Sequence, residues 1–146
     1  MKFHHRFRVN ASLSEVASFH RLATSMSAIT PPPMRVEVHQ APSELSDGDE
    51  MDFSLNFGLF RLRWLARIED MSEAGFTDRQ LHGPFQEWSH RHSFNQIEAN
   101  VTEVDDQVLA QVKRPLVGRL LGWSMWLGMP FLFAYRGWKT RSLLER

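Results

Sequence analysis

The 146-residue chain has no cysteine. That excludes a disulfide framework, a thiolate nucleophile and a thiolate-ligated metal site, and it fits a reducing compartment. Net charge is also absent: seventeen Lys and Arg balance seventeen Asp and Glu. No overall field therefore draws the chain to nucleic acid or to an anionic membrane. The first ten residues, MKFHHRFRVN, place charge and imidazole where a secretory signal needs a continuous apolar stretch, so a cytoplasmic location is expected. The run from Leu120 to Tyr135 carries no charge, but it ends at Arg119 and Arg136 and contains Pro130. It falls short of the roughly 20 apolar residues of a membrane span. A helix buried on most sides is the expectation, with interfacial binding through Trp123, Trp126 and Trp138 as the lesser reading. No G-x-S-x-G elbow occurs, so acyl-enzyme chemistry has little support. Gly83-Pro84 joins two extended segments and does not open a helix, which removes a nucleotide cradle. Internal repeats and low-complexity tracts are lacking as well.

What is present describes a folded globule: 42% hydrophobic and 12% aromatic residues are more than disordered chains carry. The length suits one domain spanning 1–146. Residues 2–9 alternate, with Phe3, His5, Phe7 and Val9 on one face, and predict a half-buried strand. Ser12 and Glu15 have the spacing of a capping box, and Val16, Phe19 and Leu22 give a short helical face. A second short helix reaches about Ile29 and stops at Pro31-Pro32-Pro33. Six more extended segments follow. Met34, Val36 and Val38 alternate, and Ser46–Asp49 reads as a turn. Met51, Phe53, Leu55 and Phe57 form the cleanest strand pattern. Residues 59–70, 75–82, 86–97 and 101–113 complete the set. Strands with one apolar and one charged face predict a sheet solvated on one side. The cover is expected from the C-terminus, where Leu120, Trp123, Leu127, Phe131, Ala134 and Trp138 recur at helical spacing. Gly118, Gly122, Gly128 and Pro130 argue for a short helix or turn, then a long helix from about Met129.

That order, one strand, two short helices, six strands and a long terminal helix, resembles the helix-grip fold of the START and birch-pollen-allergen superfamily, SRPBCC. Phe76-Thr77-Asp78, Gly83-Pro84-Phe85, Trp88, His90, His92 and Phe94 resemble the motif F-x-D…G-P-F-x-x-W-x-H-x-H-x-F of a bacterial branch. Thr30-Pro31-Pro32, Asp47-Gly48 and Phe133-Ala134-Tyr135-Arg136 fit the same branch. The Gly- and Trp-rich stretch 118–128 departs from it. The resemblance implies an α+β fold in which a curved seven-stranded antiparallel sheet grips the C-terminal helix around a cavity for an apolar guest.

Trp88, His90, His92 and Phe94 are two residues apart and share one face of their strand. By the same period Asp78 lies with Phe76, and Asp106 with Val104 and Val108, which predicts an inner cluster of Asp78, His90, His92 and Asp106. Such a cluster has three readings. It is a self-satisfied buried network, a set of hydrogen-bonding groups for a ligand, or a proton-transfer pair with His90, His92 and Asp106 as catalytic candidates. Arg136 either joins it or is solvated. A catalytic metal needs a fuller ligand signature than His90 and His92 with one Asp provide, so no metal is assigned. His4, His5 and His39 read as scattered surface or edge positions. The expected ligand-binding set is Phe53, Phe57, Trp64, Asp78, Trp88, His90, His92, Asp106, Phe131 and Tyr135. The first expectation is non-enzymatic binding of a hydrophobic or aromatic small molecule or lipid. A polyketide cyclase or dehydratase-like enzyme is the alternative that the resemblance implies, and a membrane-associated regulatory protein acting through 118–128 is the third. No cofactor and no nucleic acid partner are expected, and the chain is expected to be a monomer or weak homodimer.

Overall fold

A computed structural model describes residues 1–145. The strands are β1 (Lys2–Val9), β2 (Arg35–Gln40), β3 (Glu50–Phe57), β4 (Phe60–Ser72), β5 (Gly75–His82), β6 (Glu87–Glu98) and β7 (Val101–Gln111). Helices α1 (Leu13–Arg21) and α2 (Ser25–Ala28) follow β1, and α3 (Leu116–Leu127) and α4 (Met129–Leu144) close the chain. One antiparallel sheet has the order β1-β7-β6-β5-β4-β3-β2, so only β1 leaves sequential order, by joining β7. The curved sheet and the long terminal helix form the expected helix grip.

Local chemistry explains most boundaries. Ser12 caps α1, its Oγ accepting from the Glu15 N–H at 3.2 Å, which satisfies one of the free donors of the first turn. The period-2 pattern of β1 and β3 is kept: Phe7, Val9, Met51 and Phe53 are buried. The outer face is a lattice of ion pairs. Arg6 meets Asp105 at 3.0 Å, Arg63 meets Asp52 at 2.6 Å, and Glu69 lies between Arg67 at 2.6 Å and Arg79 at 2.8 Å. The pairing of β2 with β3 shifts register between Val38 and Gln40; Val38 is partly exposed, and His39, on the same face as Glu37, meets Ser54 at 2.6 Å. His5 and His39 thus stand on the two edge strands, β1 and β2, as expected, and the His5 ring packs beside Phe7 and Phe133.

The C-terminal helices keep the expected order, α3 of twelve residues and then the longer α4 from Met129 with Pro130 in its first turn. The two axes differ by 44°, and neither helix is long and apolar enough to cross a membrane. The stripe expected to cover the sheet faces outward instead: Leu120, Leu127, Phe131 and Trp138 are all exposed. The inward positions are Gly122, Met129, Phe133, Gly137 and Thr140. Close approach explains the choice. A Cβ on Gly122 would lie 2.7 Å from Val112 Cγ1, and one on Gly137 would lie 3.3 Å from both His5 and Phe7. Helix backbone rests on β1 side chains at Gly137 and on Val112, just past β7, at Gly122, and a larger residue there would push the helix outward.

Candidate functional site

Between the inner face of the sheet and the helices lies a cavity of ≈ 530 Å³, within the size range of small-molecule sites. Its wall is apolar and aromatic, from Met51, Phe53, Trp64, Ile68, Phe76, Phe85 and Trp88 on the sheet side to Met129, Leu132 and Phe133 on α4. The register assembles it. Phe53 stands opposite Trp64 across β3 and β4, and Trp88 packs edge-on to Trp64 with ring centroids 5.3 Å apart. Phe57 and Phe60 line the cavity while 51% and 72% exposed, so they form part of its mouth.

One end of the cavity is polar, bordered by Asp78, His90, His92, Arg136 and His20. Antiparallel pairing sets Asp78 opposite His90 and His92 opposite Asp106. The shortest contacts run along the diagonals, His90 Nε2 to Asp106 Oδ1 at 2.8 Å and His92 Nε2 to Asp78 Oδ2 at 2.7 Å. The direct pairs are longer, 3.5 Å for His90–Asp78 and 3.3 Å for His92–Asp106. Each imidazole thus sits between two carboxylates, and the ring centroids lie 3.7 Å apart with the planes tilted by 31°.

The charges follow from that geometry. Burial alone would push His92 down, but hydrogen bonds to Asp106 and Asp78, and their negative charge, outweigh it and hold His92 at about 9. His90 moves the other way, lowered by burial and then by the His92 cation beside it. Burial would raise both carboxyls. For Asp106 the hydrogen bonds from His90 and His92 win and hold it well below the usual carboxylate range. For Asp78, burial is likewise outweighed, by the bond from His92 and the charge of both imidazoles, and its carboxyl is lowered. The resting state at neutral pH is therefore an imidazolium, two carboxylates and a neutral imidazole. Asp78, His90 and His92 also offer one ligand atom each within 4.8 Å of one another. A divalent cation could be held there after displacing the His92 proton, since metal ligands must be deprotonated.

Arg136 and His20 complete the polar end. Burial lowers Arg136, with Asp106 and Asp78 opposing that change. Its Nε is buried without a hydrogen-bond partner among the described residues, and its guanidinium carbon lies 5.3 Å from the centre of the Phe133 ring. His20 donates through Nδ1 to the Val16 carbonyl at 2.8 Å, and burial pushes it down to about 4.

The structure brings Phe53, Trp64, Asp78, Trp88, His90 and His92 to the cavity wall, with Phe57 at the mouth. Asp106 stands behind the wall, bonded to His90, and not in the wall itself. Two expected residues are misplaced: Phe131 is 80% exposed on the outer face of α4, and Tyr135 packs on Trp138 there. Their helical phase turns them away from Met129 and Phe133, which face inward. His20 was not anticipated, because a lone histidine at the basic end of a short helix carries no sequence signal of a cavity built mostly from strands far along the chain.

No family model and no curated protein sequence matches the chain. Solved structures do. A START superfamily protein from Mycobacterium smegmatis superposes with a TM-score of 0.68 at 12% identity, covering 99% of this chain and 97% of that one. The fold is the helix grip. The allergen Ara h 8.0201 shares it, with a TM-score of 0.63 at 11% identity over 96% and 97% of the two chains. So does the Zhui aromatase/cyclase of Streptomyces sp. R1128, at 0.65 and 16% identity over 98% and 95%. At such identities the likeness is one of fold, and function must be argued from the site.

Proposed function

We propose that residues 1–146 act as one ligand-binding domain that holds an apolar small molecule bearing a single hydrogen-bond-accepting group, without chemical conversion. The observation that carries this reading is the pairing of an apolar cavity with Arg136, whose buried Nε has no partner among the described residues. A buried donor left unmatched is costly, and a guest's carboxylate or carbonyl oxygen would satisfy it. The aromatic wall suits an acyl chain or flat rings, whose burial contributes about 25 cal/mol per Å² before costs are subtracted. The motif through Phe76, Asp78, Trp88, His90 and Phe94 supports placement in the bacterial SRPBCC branch, and the lack of cysteine supports a reducing, cytoplasmic setting.

Proton transfer to a bound guest is the second reading, favoured by the position of His92 beside the cavity. A group held at about 9 is protonated at neutral pH, so His92 would serve as an acid and not as a base. The test is calorimetric titration with dodecanoate and with dodecanol. The native protein is expected to bind both, the acid about tenfold more tightly, as a charge-assisted hydrogen bond provides. Arg136→Met should erase that preference and keep dodecanol binding. Absence of heat and of any rise in melting temperature with either compound would remove the binding reading.

A further inference from the structure

The outward turn of the C-terminal stripe leaves a large apolar surface uncovered. Leu116, Leu120, Trp123, Leu127, Phe131 and Trp138 are exposed, from 44% at Trp123 to 80% at Phe131, and recur at helical spacing across both helices. Val117 adds another exposed residue. An apolar surface of this extent on a small protein marks a contact site. The hairpin tip between β3 and β4 adds Phe57, Leu59 and Phe60, of which Leu59 is fully exposed. Phe57 and Phe60 from this tip, and Leu121 and Met125 from α3, all line the cavity, so both exposed elements border it.

Charge identifies the occupant. From Gln107 to Leu144 there is no acidic residue, against six Lys and Arg, in a chain whose total charge is zero. On the outer face of the sheet Arg6, Arg61, Arg63, Arg67 and Arg79 are neutralised by carboxylates within 3.1 Å. Among the described residues Arg114, Arg119 and Lys139 form no ion pair, and Lys139 lies over the Trp138 ring at 5.9 Å. Unneutralised cations beside a stripe of Trp, Phe and Leu match the two layers of an anionic bilayer surface, acyl boundary and headgroups. A protein partner built for the same face would need an apolar stripe with acidic flanks. The bend at Gly128 and the cations near α3 suit a helix pair lying on a surface.

We infer that the outer face of α3 and α4 docks on an anionic lipid surface, with the cavity beside the contact. The docking is independent of the guest's identity. Flotation of the intact protein with vesicles of phosphatidylcholine, with and without phosphatidylserine, tests it. The protein is expected to float with the phosphatidylserine vesicles and to be released by high salt. Trp123→Ser with Leu127→Ser, and separately Arg114→Glu with Arg119→Glu, should each lower the bound fraction at least about tenfold. Because these side chains are exposed, the melting temperature should stay within a few degrees of the native value, which separates lost docking from lost folding. No flotation of the native protein, equal flotation on both vesicles, or a concentration-dependent dimer in sedimentation that the serine variant abolishes would each overturn the inference.

Discussion

Replacing Asp106 with asparagine removes one of the two carboxylates between which His90 and His92 are held, while keeping the shape of the side chain. Asp106 is 6% exposed and meets His90 at 2.8 Å and His92 at 3.3 Å. The groups facing His92 are Asp78 from β5, His90 from β6, Asp106 from β7, His20 from α1 and Arg136 from α4. Its folded pKa of about 9 exceeds the ordinary 6.5, so the stability it contributes is complete below pH 6.5 and is lost as pH rises through 9. A tenfold change in proton affinity corresponds to about 1.4 kcal/mol, which makes the contribution of His92 about 3 kcal/mol. The native protein should therefore lose stability between pH 6.5 and 9, and Asp106→Asn should flatten that limb as the His92 pKa falls. Breaking a buried charge pair should also cost about 3 kcal/mol at pH 6. Urea unfolding followed by tryptophan fluorescence at pH 6, 7.5 and 9, with NMR titration of the His92 ring, measures both effects. A His92 ring that titrates near 6.5 in the native protein, or a variant as stable as the native at pH 6 with the same alkaline slope, would refute the reasoning.

Three further outcomes are expected. His20, pushed down to about 4, stays neutral in the fold while the unfolded chain protonates it, so stability is lost as pH falls from 6.5 toward 4; His20→Phe should shallow that acid limb in the same unfolding assay. Phe85, fully buried in the cavity wall, should cost about 3–5 kcal/mol when changed to Ala, read as a lower urea midpoint at unchanged slope. Gly137→Leu should destabilise by about 1–3 kcal/mol through overpacking against His5 and Phe7, where even a Cβ comes within 3.3 Å; a melting temperature equal to the native one would contradict the close approach.

Spacing alone determined the seven strands, the cap at Ser12, the start of α4 at Met129 and the common face of Trp88, His90, His92 and Phe94. These follow from periods of 2 and 3.6 and from Pro and Ser chemistry, which act over a few residues. Only the tertiary structure decided which side of the C-terminal helices meets the sheet. A helical period identifies an apolar stripe but not its partner, and here backbone contact at Gly122 and Gly137 outweighed the larger stripe from Leu120 to Trp138. Period 2 already grouped Asp78, His90, His92 and Asp106 on the inner face, and the register decided which of them pair most closely, along the diagonals of three strands. Only the fold brought His20 and Arg136 to the same end of the cavity, because contact between residues far apart in the chain depends on strand order and helix docking, which no local pattern encodes.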